Sequence, residues 1–308
     1  IYWWSVLMEF NWIYDHRTPR KLRSALKMYG VSSSLLKVAI YHGGKMQING
    51  VDKWAVDTVN YHDKVTLILP PETANDNVDV SEAPIDIIYE DQDFLIMNKP
   101  AGVATVPAHN VPVADSLVNR VKGYYKRQDY ENQVTHVATR LDRDTSGLVV
   151  FPKHRFAHAV LDEQLKKHLV KKNYLALIKG KVPAEHGYID APIQRDPNSF
   201  VKRMVGKEGK ASVTEYWCQE CNVQASLIKI RLHTGRTHQI RVHFASLGFP
   251  LIGDKMYGEE SRLIARQALH CYWLSFYSPF KGENITVSAP LPSDFKNAKD
   301  DLLSTKEY

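Results

Sequence analysis

The chain has 308 residues, 44% of them hydrophobic, and a formal charge of +6. That length allows two domains and a sizeable core, and the positive balance favours a polyanionic partner. Three cysteines are too few for a disulfide framework, and no apolar run approaches the roughly 20 residues of a membrane-spanning helix.

Ile1 to Leu7 is apolar and aromatic but lacks a basic leader and a small-residue cleavage site, so it reads as a poor signal peptide. Met8 is a candidate start. Phe10, Trp12 and Tyr14 alternate with other residues and predict a first strand. From Thr18 the pattern turns helical through Leu22, Ala25, Leu26 and Tyr29, with Gly30 as a stop. Arg17, Arg20, Lys21, Arg23 and Lys27 crowd the other side. Ser32 or Ser33 can cap a second helix through Leu35, Leu36, Ala39 and Ile40. Lys45 to Gly50 predicts a strand ending in an Asn-Gly turn, a strong hairpin signal. Val65 to Leu69 closes the unit.

Residues 71–84 are polar, acidic and bounded by prolines, and read as a linker that marks a separable unit. A hairpin then pairs Ile85 to Tyr89 with Phe94 to Met97. Asp115 to Val121 predicts a helix, and the polar, basic stretch Gly123 to Gln133 a loop. Arg140-Leu141-Asp142-Arg143-Asp144-Thr145-Ser146-Gly147 reads as a tight loop, and Leu148 to Phe151 after it as a buried strand. A carboxylate held among guanidinium groups at the mouth of a core strand is a good place for chemistry. On pattern alone an ion-paired turn is an equal reading.

Phe156, Val160, Leu161 and Leu165 predict an amphipathic helix. Strands follow at Tyr174 to Ile178, near Ile189, at Val213 to Trp217 and at Leu227 to His233. Thr237 to Leu247 predicts a helix stopped by Gly248, with Ile240, Phe244 and Leu247 on its buried stripe. Strands near Ala268 to Phe276 and Ile285 to Ala289 complete the chain. Many strands and few helices imply an α+β fold with a mixed, mostly antiparallel sheet.

Several other signals carry little. Cys218 and Cys221 form a lone C-x-x-C without a second pair, so zinc is not expected. His238 and His243 are five apart, whereas helical zinc ligands favour four, so packing or partner-facing roles are expected for them and for His233. No P-loop, dinucleotide glycine motif or G-x-S-x-G elbow is present.

The run RLDRDTSGL, with Lys153 after its strand, resembles the catalytic motif of the RluA-type RNA pseudouridine synthases. Asn98 to Gly102, Lys172 to Ala176 and His233 to His243 resemble that family's other motifs in the same order, and Leu251 to Asp254 follows. One departure is Thr139, where many members have histidine. The resemblance implies a catalytic domain over residues 85–296. Residues 10–70 more loosely resemble the S-four-like RNA-binding domain.

Such enzymes detach uracil from its sugar, turn it and rejoin it through carbon 5. No atom is oxidised or hydrolysed, so the resemblance implies no cofactor and no metal. By resemblance Asp142 is the carboxylate, acting as nucleophile or as base at the sugar, with Asp144 its local rival. Arg241 pairs with Asp142. Tyr174 stacks on the uracil, and its hydroxyl is a candidate to take the proton from carbon 5. Arg140 fills the gap left by the flipped base. Lys99 serves structure or a phosphate contact, and Arg20, Lys21, Arg23 and Lys27 bind RNA through their charge.

Large-subunit ribosomal RNA is the expected substrate, with transfer RNA as the alternative. A catalytically idle RNA-binding protein of the same fold is a second reading. A glycoside-cleaving enzyme is a third, though that chemistry normally uses two carboxylates. A monomer in the cytoplasm is expected.

Overall fold

The computed structural model describes residues 8–72, 78–107 and 115–304. The reading of Ile1 to Leu7 lies outside them. The first unit holds β1 (Met8–Ile13), β2 (Arg20–Lys21), α1 (Leu22–Met28), α2 (Ser33–Tyr41), β3 (Lys45–Ile48), β4 (Val51–Asp52), β5 (Thr58–Val59) and β6 (Lys64–Leu69). Its sheet runs β1-β6-β3-β4, every pairing antiparallel. Asn49 and Gly50 turn the β3–β4 hairpin, both with positive φ (51° and 80°), the backbone such a two-residue turn requires. Ser32 caps α2, its side chain accepting from the Leu35 N–H.

The helix expected from Thr18 starts only at Leu22. Pro19 disfavours helical backbone at Thr18. Arg20 and Lys21 then pair with Val59 and Thr58 as a short ribbon. The four cations Arg20, Lys21, Arg23 and Lys27 are all exposed but do not share one helix face.

The second unit holds β7 (Ile87–Glu90), β8 (Phe94–Lys99), α3 (Leu117–Arg127), β9 (Ser146–Pro152), α4 (Arg155–Lys166), β10 (Lys171–Lys179), β11 (His186–Asp190), β12 (Ile193–Arg195), β13 (Arg203–Val205), β14 (Val213–Cys221), β15 (Ala225–Leu232), α5 (Gln239–Ser246), β16 (Leu269–Ser278), β17 (Glu283–Ser288) and α6 (Ser293–Leu303). Its nine-stranded sheet runs β11-β14-β15-β10-β16-β9-β8-β7, with β17 also on β16. Only β16 and β9 run parallel among its described pairings, so the fold is α+β with a mixed, mostly antiparallel sheet.

One face carries Phe94, Ile96, Leu148, Val150, Tyr174 and Ile230 in a core shared with Ala157 and Leu161 of α4 and Ile240 and Phe244 of α5. The other face packs α3 against Leu95, Met97, Val149 and Phe151. There α6 seats Phe295 and Ala298 on Leu177 and Leu227.

Several local expectations change. The stretch from Gly123, read as loop, stays helical to Arg127. Gly123 serves as a notch: a Cβ there would lie 2.0 Å from the Ser81 carbonyl oxygen. Leu247, placed on a buried stripe, is 49% exposed, because α5 ends at Ser246 and Gly248 reverses the chain with φ +84°. Helix α6 was not anticipated.

The linker is not a free tether where it is described. The Glu72 carboxylate accepts from the Arg155 N–H (2.7 Å) and pairs with His136 Nε2 (2.8 Å). Asn119 Nδ2 donates to the Asp79 carbonyl, and Arg127 pairs with Glu82. The first unit also shares its core with the second. Phe156 and Val160 of α4 belong to the cluster of Tyr14, Leu22 and Leu67. Phe156 meets Phe10 edge-on at 4.9 Å and Phe280 at 5.0 Å. A polar, proline-bounded sequence therefore marks a seam between packed units.

Candidate active site

The loop 139–145 between α3 and β9, together with Ser146 at the start of β9, is fastened at several points. Thr139 Oγ1 accepts from the Val150 N–H. Thr105 Oγ1 donates to the Leu141 carbonyl and accepts from the Leu141 N–H. The Thr145 N–H closes a turn onto the Asp142 carbonyl at 3.1 Å. Arg266, itself gripped by Asp294, donates to the Asp144 carbonyl. Ser146 Oγ meets His270 Nδ1 at 2.9 Å, and burial pushes that imidazole down to about 4, so it is neutral.

Lys99 lies under this loop, fully buried, its Nζ donating to the carbonyls of Pro100, Val103 and Arg143, each at 2.8 Å. Burial pushes its amine down to about 7, against the pull of Asp144 and Asp142. A phosphate contact is therefore corrected to a structural role: the amine holds the loop from below and has no open side.

With its backbone pinned, the loop offers the Asp142 side chain to a cleft of about 920 Å³. Arg241 Nη1 donates to Asp142 Oδ2 at 3.0 Å. The rest of that guanidinium is committed to Asp254, Nε to Oδ2 at 2.7 Å and Nη2 to Oδ1 at 2.8 Å. Asp254 is fully buried and also accepts from the Met256 and Tyr257 N–H groups. Burial alone would lower the Arg241 pKa, but Asp254 and then Asp142 hold it above its ordinary value. The Arg241 guanidinium lies 5.0 Å from the Tyr257 ring centroid. A bidentate fork on one carboxylate thus aims a single N–H at the other.

His238 completes the frame. Its backbone is left-handed, with φ +59°. Tyr257 accepts from the Arg203 N–H, which leaves its hydroxyl hydrogen for His238 Nδ1 at 2.8 Å. That assignment puts the ring proton on Nε2, 3.9 Å from Asp142 Oδ2. Burial lowers the His238 pKa, so the ring is a neutral donor facing the carboxylate.

Tyr174 reaches the same cleft from β10 and is 4% exposed. Its strand neighbours are Ile230 and Cys271. Burial raises its hydroxyl well above the ordinary 10, with Cys271 and Asp142 adding to the shift. At neutral pH the phenol keeps its proton, which weighs against the hydroxyl as proton acceptor and favours the ring as a platform.

Asp142 is the sole acid among the described residues lining the cleft, beside Arg140, Arg143, Lys166, Lys172, Arg236 and Arg241. Asp144 pairs with Arg143 outside it. The structure thus gathers Asp142, Tyr174, Arg241 and Arg140 around one cleft. Arg20, Lys21, Arg23 and Lys27 line no part of it. Asp254, Tyr257 and His238 were not assigned this role from sequence. The clue was available: a buried arginine needs a second carboxylate, and Asp254 follows it between Gly253 and Gly258.

The other histidines have structural partners. His233 Nε2 meets Glu215 at 2.9 Å, and His243 lies buried between Thr214 Oγ1 and the Ala191 carbonyl. Among the described residues no cluster of histidine, cysteine or acid is placed to hold a metal ion, and none of the described helices is long and apolar enough to cross a membrane.

Comparison with known proteins identifies the family. The family described as RNA pseudouridylate synthase matches residues 93–246. The chain is 39% identical over 265 residues to a Bacillus subtilis (strain 168) protein named uncharacterized RNA pseudouridine synthase YjbO, covering 86% of this chain and 93% of that one. It is 36% identical over 248 residues to ribosomal large subunit pseudouridine synthase D of Zymomonas mobilis, covering 75% and 76% of the two chains. The solved structure of human RNA Pseudouridylate Synthase Domain Containing 1 aligns with a TM-score of 0.58 at 27% identity, over 69% of this chain and 85% of that one. The chain belongs to the RNA pseudouridine synthase family, enzymes that isomerise uridine to pseudouridine within RNA.

Proposed function

We propose that this enzyme modifies large-subunit ribosomal RNA, with Asp142 as the group that acts at the sugar of the target uridine. The observation that carries the catalytic reading is a carboxylate, the single one among the described residues of a cationic cleft, aimed by an arginine that a buried second carboxylate holds still. Attack at the sugar and proton abstraction there both need a carboxylate held in a fixed direction, which the Arg241 hydrogen bond supplies. Among the described residues the cleft has one carboxylate without a partner across it, which does not match glycoside hydrolysis.

Tyr174 serves as the surface on which the flipped uracil rests. Arg140, exposed at the rim, takes the vacated place in the RNA stack. With the phenol kept protonated, Asp142 is the acceptor for the carbon 5 proton once the base has rejoined. Residues 10–70 act as an S-four-like RNA-binding unit, with Arg20, Lys21, Arg23 and Lys27 meeting the phosphate backbone. The 71–84 segment joins this unit to a catalytic domain over residues 85–296. The enzyme works as a monomer in the cytoplasm.

Ribosomal RNA is favoured because the relative from Zymomonas mobilis carries that substrate in its name. The test is to map pseudouridines in total RNA from a deletion strain against the parent. A site lost from large-subunit ribosomal RNA supports the proposal. A loss confined to transfer RNA moves the substrate, and no loss at all supports an idle RNA-binding protein.

A further inference from the structure

Strand β10 alternates across the register shift against β16 between Asn173 and Tyr174, because the extra residue there, Tyr272, belongs to β16. Tyr174, Ala176 and Ile178 face the core of the catalytic side, and Leu175 and Leu177 face α6. Lys172 therefore shares the face of Tyr174, one alternation toward the start of the strand, and it too lines the cleft. The cleft cations differ in what holds them. Arg143 pairs with Asp144, Lys166 with Asp162, and Arg241 with Asp142 and Asp254. Arg236 donates to the Ala211 carbonyl. Among the described residues, Lys172 and Arg140 alone in this group have no hydrogen bond or ion pair.

Arg140 is exposed, where water satisfies it, but Lys172 is half-buried beside the Cys271 thiol. Burial lowers its pKa, which makes charge on this amine costly in the free enzyme, a cost that an entering anion would offset. Burial also pushes the Cys271 thiol up to about 11, so the thiol offers no counter-charge at neutral pH.

Backbones two strand residues apart lie about 6.6 Å from one another, so the two side chains can meet neighbouring parts of one nucleotide. We propose that Lys172 is the binding residue for a phosphate adjoining the flipped uridine, fixing the nucleotide backbone while Tyr174 carries the base. This rests on the reading of Tyr174 as the seat of the uracil. Lys172 sets how deeply the nucleotide enters and takes no part in bond making.

The test uses the full-length enzyme and RNA from the deletion strain, which holds the target unmodified whichever RNA carries it. Lys172→Met and Lys172→Arg are compared with wild type for KM, kcat and their dependence on salt. For Lys172→Met, KM should rise about tenfold, as for one charge-assisted hydrogen bond, with kcat within about threefold. Its salt dependence should become shallower by about 0.7 in the log–log slope, one phosphate contact to a single strand. Lys172→Arg should restore both.

A kcat loss at unchanged KM and salt slope would mean that the amine acts on the base, and overturns the proposal. So would kinetics like wild type in Lys172→Met, which would make Lys172 a solvated strand residue. Tyr174→Leu is measured alongside: wild-type KM and kcat there would remove the uracil seat while leaving the phosphate contact to be read from the Lys172 slope alone.

Discussion

The catalytic cleft and the seam between the two units are both tightly held, but by opposite means. Around Asp142 the fixing is polar: Lys99, Arg241, Asp254, Thr105 and Arg266 hold atoms by directed hydrogen bonds. At the seam it is mostly apolar, with Phe10, Phe156 and Phe280 meeting at angles and Glu72 adding a charged knot. Directional bonds fix the orientation of a reacting group, whereas packed aromatic surface fixes adhesion with wide tolerance of angle. Substitutions in the cleft should therefore remove activity while sparing the fold, and those at the seam should do the reverse.

The largest separation should come from Asp142→Asn, which keeps shape and removes charge. Pseudouridine formation in deletion-strain RNA should fall below detection with the melting temperature little changed; turnover near wild type would shift the chemistry to another group. Arg241→Lys keeps the charge but loses the fork, so it can no longer grip Asp254 and aim at Asp142 together. Turnover should fall roughly 100-fold, the scale of a small misplacement of a reacting group. An equal loss in RNA affinity would show that Arg241 acts on the substrate instead.

Phe156→Ala tests the seam. The ring is fully buried, and its loss should destabilise the protein by about 3–5 kcal/mol. Single-turnover chemistry at low temperature should survive, because the rings it meets, Phe10, Trp12 and Phe280, lie outside the cleft lining. For the same reason, removing residues 1–70 should uncover Phe156 and Val160 and lower the solubility of the remainder, measurable by light scattering.

The smallest effect is at Glu72. Burial raises its pKa, but the hydrogen bond and charge of His136, then Arg155, bring it below the ordinary 4.5. A depressed carboxylate contributes stability that is fully present above 4.5 and is lost as pH falls through its folded value. Acidification from pH 5 downward should therefore loosen the seam. Glu72→Gln should melt a few degrees lower than wild type near pH 7, and the gap should narrow below pH 4. A constant gap would mean that Glu72 matters by shape alone.

Much of this was legible in the sequence, for reasons that can be named. Alternation exposed β15 and helical spacing exposed α4, because each buries one face. The motif around Asp142 was readable because acids, arginines and small hydroxyls do not build strands. Composition could not show that Gly123 sits inside a helix, since its cause is the Ser81 carbonyl pressed against it, a contact more than 40 residues away in sequence. Nor could it assign Lys99, whose three acceptors are backbone carbonyls that look alike at every position. The seam was hidden because prolines and acids mark a loop well but say nothing about whether its ends are docked.

Gly147 turns one such hidden contact into a caution for genetics. Its φ is +114°, and a Cβ there would lie 2.2 Å from the Cys271 carbonyl oxygen and 2.6 Å from its nitrogen. The residue is the gap through which β9 lies beside β16, at the sheet's parallel joint. Any side chain would wedge those strands apart and carry the Asp142 loop with them. In a saturation screen scored by modification alone, Gly147 would be as intolerant as Asp142, although it has no atom to offer the reaction. Intolerance at Gly147 would measure the separation of two backbones, and only a companion score for protein abundance would tell a spacer from a reagent.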